Sequence, residues 1–258
     1  MARVEIDHWW YRTLRRLVVA RAADAPMASL ALLDAGCGTG AGLATWSPLT
    51  RAVGLDPSEH ALRYCRERLL GPLVQGSVER IPLRARSVHT VVCLDVLCLE
   101  GIDEGRALAE IRRVLMPGGT LILNLPAFEQ LRGQHDLAVR IRHRYTKREL
   151  TELLRQNGFD VAAVSYWNTA LFPLVWLVRK FRRASGRSGS TSDLGRPNGI
   201  VNAALTWLLG IETSLLGERA PFGTSVFAVA RAPGVAFPGV GAVTEPADHG
   251  HEAGRGKH

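Results

Sequence analysis

The chain has 258 residues, 47% hydrophobic and 22% charged, enough for one large or two small cored domains and unlike a mostly disordered chain. Basic residues number 32 against 24 acids, a net charge of +8, yet no basic stripe with interleaved aromatics stands out, so a nucleic-acid partner is not expected. No apolar stretch reaches the roughly 18 to 20 residues a spanning helix needs. The acids and aromatics of MARVEIDHWWYRTLRRL break any signal-peptide core, so the expected location is the cytoplasm.

Residues 1–25 read as a basic amphipathic helical cap carrying His8, Trp9, Trp10 and Tyr11, interrupted at Pro26. From Leu30 the pattern alternates. Strands are predicted over Leu30 to Ala35, Ala52 to Asp56, Leu73 to Gly76, His89 to Asp95 and Thr120 to Leu125. Helices are predicted between them, near Ala41 to Trp46, Ser58 to Leu70 and Asp103 to Leu115. Such alternation implies a parallel sheet covered on both faces.

Thr146 to Asn157 carries a capping box, Thr146 with Glu149, and Gly158 where the helix must stop. Phe159 to Trp167 and Thr224 to Arg231 read as the last two strands. Residues 168–222 between them form an insertion: an apolar run from Ala170 to Val178, a basic turn at Arg179, Lys180, Arg182 and Arg183, a mobile loop from Ser185 to Gly195, and an amphipathic helix from Ile200 to Leu216. The insertion reads as a helical pair over the substrate pocket; contact with a membrane interface through residues 170–216 is the sharper alternative. Residues 232–258 read as a disordered tail. Cys37, Cys65, Cys93 and Cys98 form no CxxC pair, so they are read as reduced, buried thiols, and no metal site is expected.

Chemistry concentrates at Asp34-Ala35-Gly36-Cys37-Gly38-Thr39-Gly40, where a strand runs into a glycine turn and then a helix. Glycines there let the backbone turn tightly and approach a ligand. Gly36, Gly38 and Ala41 also satisfy the dinucleotide pattern, and Asp56, ending the second strand, suits a ribose diol in either case. Asp34 separates the two readings: an acid there repels a pyrophosphate but suits a ligand carrying an ammonium and a sulfonium.

This turn resembles motif I of class I S-adenosylmethionine-dependent methyltransferases. Three further segments are similar in order and spacing: Gly54-Leu55-Asp56-Pro57-Ser58, Gln75-Gly76-Ser77-Val78-Glu79, and Leu115-Met116-Pro117-Gly118-Gly119. His8 to Arg12, His135-Asp136, His143 to Thr146, Tyr166-x-Asn168 and Leu171-Phe172-Pro173 resemble the bacterial small-molecule enzymes of the methyltransferase-11 type. The resemblance implies a doubly wound, seven-stranded, Rossmann-like α/β sheet with the last strand antiparallel and the helical insertion before it, in a domain over residues 26–231 that follows the helical cap. It implies S-adenosylmethionine as cofactor, S-adenosylhomocysteine as product and a small-molecule acceptor methylated at oxygen or nitrogen.

By the same resemblance, the cofactor contacts are Tyr11, Asp34, Gly36, Cys37, Gly38, Gly40, Asp56, Pro57, Ser77, Val78, Leu94 and Asp95. Ser77 stands where the family usually has an acid, which leaves the Val78 backbone N–H to meet the adenine edge. Cys93 to Leu97 is not the motif of the amino-methylating DNA enzymes, and Asn124-Leu125-Pro126 ends the wrong strand for it. His135, with Asp136 beside it on the loop after the fifth strand, is the candidate general base. His143 and Tyr145 complete the expected substrate side.

Overall fold

The computed structural model describes residues 6–22, 32–184, 198–215 and 220–234. The expectations at Pro26, Leu30, Ser185 to Gly195, Leu216 and residues 235–258 lie outside the described residues.

The strands alternate with helices because the apolar runs are too short for helices and are separated by capped amphipathic segments. The order is α1 (Trp9–Ala22), β1 (Leu32–Ala35), α2 (Ala41–Trp46), β2 (Ala52–Asp56), α3 (Glu59–Glu67), β3 (Leu73–Gln75), β4 (Val88–Leu94), α4 (Glu104–Val114) and β5 (Leu115–Pro126). Then follow a 3-10 turn (Glu129–Leu131), α5 (Gln134–Ala138), α6 (Lys147–Gln156), β6 (Asp160–Trp167), α7 (Phe172–Ala184), α8 (Gly199–Leu215) and β7 (Ser225–Arg231). Side-chain caps start three of the helices: Ser58 accepts from the Ala61 N–H, Asp103 from Arg106, and Thr146 from Glu149 with the full capping box.

All seven strands form one sheet in the order β3-β2-β1-β4-β5-β7-β6. β7 runs antiparallel between β5 and β6, and the first five strands pair in parallel. The order reverses at β1 and β4, so the crevice at their C-terminal ends is the place where such sheets bind ligands. β5 starts at Leu115, five residues before the predicted strand. Its partner β4 advances from Val88 to Thr90 while β5 advances from Leu115 to Thr120. The Met116 to Gly119 turn is therefore looped out of the ladder, and Gly118 and Gly119 exchange backbone bonds with Ala232 instead.

Two apolar layers cover the sheet. On one face, Leu33, Val91, Cys93, Leu121 and Leu123 pack against Leu108 and Ile111 of α4 and Leu150 and Leu154 of α6. On the other, Leu32, Val92, Ile122 and Phe227 meet Leu14 and Val18 of α1, Leu43 and Trp46 of α2, Leu62 and Cys65 of α3, and Leu209 of α8. The N-terminal helix is thus part of the layer rather than an appendage. All four cysteines are free and buried. Among the described residues no helix is long and apolar enough to cross a membrane.

α8 lies against α1, where Asn202 accepts from the Trp9 N–H at 2.8 Å and donates to the Asp7 carbonyl at 2.7 Å. At its other end the buried Glu212 carboxylate accepts the N–H groups of Thr169 at 2.7 Å and Ala170 at 2.8 Å, just ahead of α7. Glu212→Ala should strand two backbone donors and cost about 1–3 kcal/mol. Urea denaturation checks this, with an unchanged midpoint ruling out the anchor.

Candidate functional site

Parallel pairing sets the geometry of the crevice. Asp34 sits in β1 between Gly54 of β2 and Val92 of β4, so its carboxylate is buried under α2. Its Oδ2 accepts from Trp46 Nε1 at 2.9 Å. Burial pushes the Asp34 carboxyl up to about 7; the Trp46 N–H offsets part of that and the nearby Asp56 charge adds to it. A buried acid poised between its charged and neutral forms is suited to meeting a cation.

Beyond β1 the chain turns over the end of β2. The N–H groups of Gly36 and Cys37 both donate to the Leu55 carbonyl, at 2.8 and 3.0 Å. Asp56 Oδ2 accepts from the Gly38 N–H at 2.9 Å, and its Oδ1 accepts from the Ser58 N–H at 2.8 Å. Each oxygen keeps a second lone pair that a hydroxyl donor can use. The glycines of the turn differ in purpose. A Cβ on Gly36 would overlap the Val96 side chain, and one on Gly40 would run into Leu70 and Cys65. Gly38, with φ +54°, would direct a Cβ at no described atom within 4 Å. Gly36 and Gly40 therefore serve packing, and Gly38 leaves bare backbone facing the crevice.

The other cofactor-side residues gather at the same edge. Pro57 is exposed, and its carbonyl accepts from Gln75 Nε2 at 3.2 Å. Ser77 accepts the Glu79 N–H at 3.2 Å, and Val78 is buried in the core. The Cys37 and Cys65 thiols are held protonated by burial, and Cys65 Sγ donates to the Gly38 carbonyl at 3.3 Å.

At the end of β4, Leu94 is partly buried and Asp95 takes a left-handed backbone at φ +56°. Phe128 after β5 and Asn168 after β6 do the same, at φ +56° and +60°. Non-glycine residues in that region mark places where surrounding structure overrides local preference, and here three of them crown the C-terminal edge. Asn124 Nδ2 donates to Asp95 Oδ1 at 3.0 Å, and Asn124 Oδ1 accepts from Trp167 Nε1 at 2.7 Å. Burial pushes the Asp95 carboxyl up to about 7, partly countered by Asn124 and by the Arg144 charge.

Asn124 is the residue that sequence reasoning missed. A polar side chain within the apolar run Leu121 to Leu125 was the available signal. Trp167 also stacks on Trp10 of α1 with centroids 5.4 Å apart, and Trp10 meets Tyr11 edge-on at 4.8 Å. Tyr11 is thereby linked through Trp10 to Trp167, the donor to Asn124.

The acceptor-side expectations divide. Asp136 is fully buried: Oδ2 accepts from the Gly133 N–H at 2.6 Å and Oδ1 from Arg144 at 2.7 Å. It works as an anchor that holds α5, the helix carrying the partly exposed His135. Tyr145 is buried, its hydroxyl donating to Glu104 Oε1 at 2.5 Å within reach of the Leu97 carbonyl at 3.3 Å. His143 is partly exposed and meets the Tyr145 ring edge-on at 4.6 Å. Loop contacts tie this region to the end of β4: the Arg142 N–H donates to the Cys98 carbonyl, and Glu100 to Arg140.

Residues 33–123 match the family model described as a methyltransferase domain. A "probable S-adenosylmethionine-dependent methyltransferase" of Mycolicibacterium smegmatis is 32% identical over 162 residues, covering 60% of this chain and 61% of the relative. A malonyl-[acyl-carrier protein] O-methyltransferase of Yersinia pestis is 36% identical over 96 residues, 36% of this chain and 35% of the relative. The chain thus spans less than two thirds of the length of either relative. Among solved structures, the [4+2]-cyclase SpnF aligns with a TM-score of 0.56 at 20% identity, covering 87% of this chain and 83% of that one, a likeness of fold.

Breaking the buried pair tests the anchor. Asp136→Ala leaves the Arg144 guanidinium buried without its carboxylate and should cost about 3–5 kcal/mol in chemical denaturation. A loss below about 1 kcal/mol, the range of an exposed pair, would assign Asp136 another role.

Proposed function

This chain belongs to the class I S-adenosylmethionine-dependent methyltransferases, of the methyltransferase-11 type and with S-adenosylmethionine as cofactor, and on that premise we propose that it methylates a small-molecule acceptor at oxygen or nitrogen. The observation that carries the reading is the glycine turn tied to Asp56, with open space beside the Gly38 Cα. In this reading Asp34 faces the ammonium, and the spare lone pairs of Asp56 take the ribose hydroxyls. Gly36, Cys37, Gly38, Gly40 and Pro57 form the floor, the Ser77–Val78 loop meets the adenine edge, and Leu94, Asp95 and Tyr11 lie toward the methionine end.

When bound, the cofactor supplies a methyl group on a sulfonium, open to in-line displacement by an acceptor lone pair. The chain's own work is to hold the acceptor in line, exclude water and accept its proton. Asp95 suits the proton-accepting role because Asn124 orients it and burial has moved it near neutrality. His135 is the second candidate, favoured by a helix that Asp136 locks in place. Malonyl-[acyl-carrier protein] as acceptor of the Yersinia relative supports oxygen as the methylated atom.

Calorimetric titration tests the cofactor half. S-adenosylmethionine and S-adenosylhomocysteine should bind and NAD should not, while Gly38→Ala should weaken binding about tenfold or more by filling the bare backbone. Binding of NAD alone would overturn the reading.

For the acceptor half, the sign of the pH dependence follows from Asp95. Its carboxyl is neutral below about 7 and becomes a base above it, so turnover should rise as pH passes upward through about 7. Asp95→Asn should remove that limb and lower kcat about 100-fold. If His135→Ala instead removes the limb, the base is His135.

A further inference from the structure

We propose that the outward face of α8, together with the basic end of α7, docks on the surface of an anionic phospholipid bilayer. The inference stands apart from the methyl-transfer reading and starts from an inversion in α8. Its polar side chains are turned toward the protein: Asn202 to Trp9 and Asp7, and Glu212 to Thr169 and Ala170. One row of its apolar side chains faces out, on the side away from the buried Leu209. Ile200, Val201, Ala203, Ala204, Trp207 and Leu208 are all exposed, Ile200 by 83% and Trp207 by 69%. The positions 200, 203, 204, 207 and 208 follow the i, i+3, i+4, i+7, i+8 rule, so they form one continuous stripe.

Rolling the helix to hide that stripe would break the polar bonds at both of its ends. No exposed acid interrupts the stripe among the described residues of α8.

α7 adds the charge. Its Leu174, Trp176 and Leu177 are exposed, and Lys180 Nζ lies 4.8 Å above the Trp176 ring. The helix also contains Arg179, Arg182 and Arg183 and no acid, so it holds four positive charges, half the net +8 of the chain. An exposed tryptophan beside a lysine, on a helix of basic sequence, matches the layered chemistry of a lipid interface, with apolar groups at the acyl boundary and cations at the anionic headgroups.

Flotation of the full chain with vesicles tests the proposal. The chain should float with phosphatidylcholine vesicles containing phosphatidylglycerol, less so as salt rises, and not with phosphatidylcholine alone. Ile200→Ser with Trp207→Ser, and separately Lys180→Glu with Arg183→Glu, should each reduce binding about tenfold. Unchanged melting and cofactor affinity in these variants would show that they fold and leave the methyl-transfer reading untouched. Absence of flotation with the anionic vesicles, or flotation that survives both pairs of substitutions, would overturn it. So would a lipid-free dimer in analytical ultracentrifugation that Trp207→Ser dissociates, because the stripe would then belong to a second copy.

Discussion

The carboxylate of Asp56 is the joint on which the crevice depends. It closes β2, reaches back across the sheet to the Gly38 N–H and forward to the Ser58 N–H that opens α3. Two successive βα units are therefore tied at one residue. Open space lies beside the Gly38 Cα, whose N–H is drawn to Asp56, and packing of Gly36 on Val96 brings the end of β4 beside the turn. The glycine turn and the Asp95 edge are thus neighbours because the parallel strands β1 and β4 are neighbours.

The opposite half of the sheet is organised by a different economy of polar groups. Asn124 is wholly buried, yet each end of its amide is bonded, to Asp95 and to Trp167. A satisfied buried amide adds direction to an apolar core at little cost, whereas an unpaired one would destabilise it. The Arg144–Asp136 pair on the neighbouring loop is bonded to itself and to backbone through Arg144 Nη1 and Nη2, while Arg144 Nε is buried without a partner among the described residues.

Local signals made much of this visible beforehand. Ala52 to Asp56 and Ala41 to Trp46 form over the predicted residues because an apolar run and a glycine turn bound them. Thr146 with Glu149 likewise announced α6. Long-range effects were less legible. β5 begins early because Leu115 pairs with Val88 across a looped-out turn, and short α5 is held by Arg144, eight residues beyond Asp136. Asp34 and Asp56 could be picked out from their place at strand ends, but the Trp46 partner of Asp34 could not. In α8 the amphipathic pattern was plain, while its direction was not: periodicity gives the stripe, and only the bonds of Asn202 and Glu212 say which way it turns.

The stack of Trp10 on Trp167 has a bearing on how the protein is handled. Trp167 donates to Asn124, which in turn orients Asp95, so α1 is mechanically coupled through three side chains to the carboxylate at the end of β4. The family match begins at Leu33, well after α1. A truncation drawn at that boundary would keep the glycine turn and remove the brace of Asp95. Residues preceding the recognisable domain in this sense brace the end of β4.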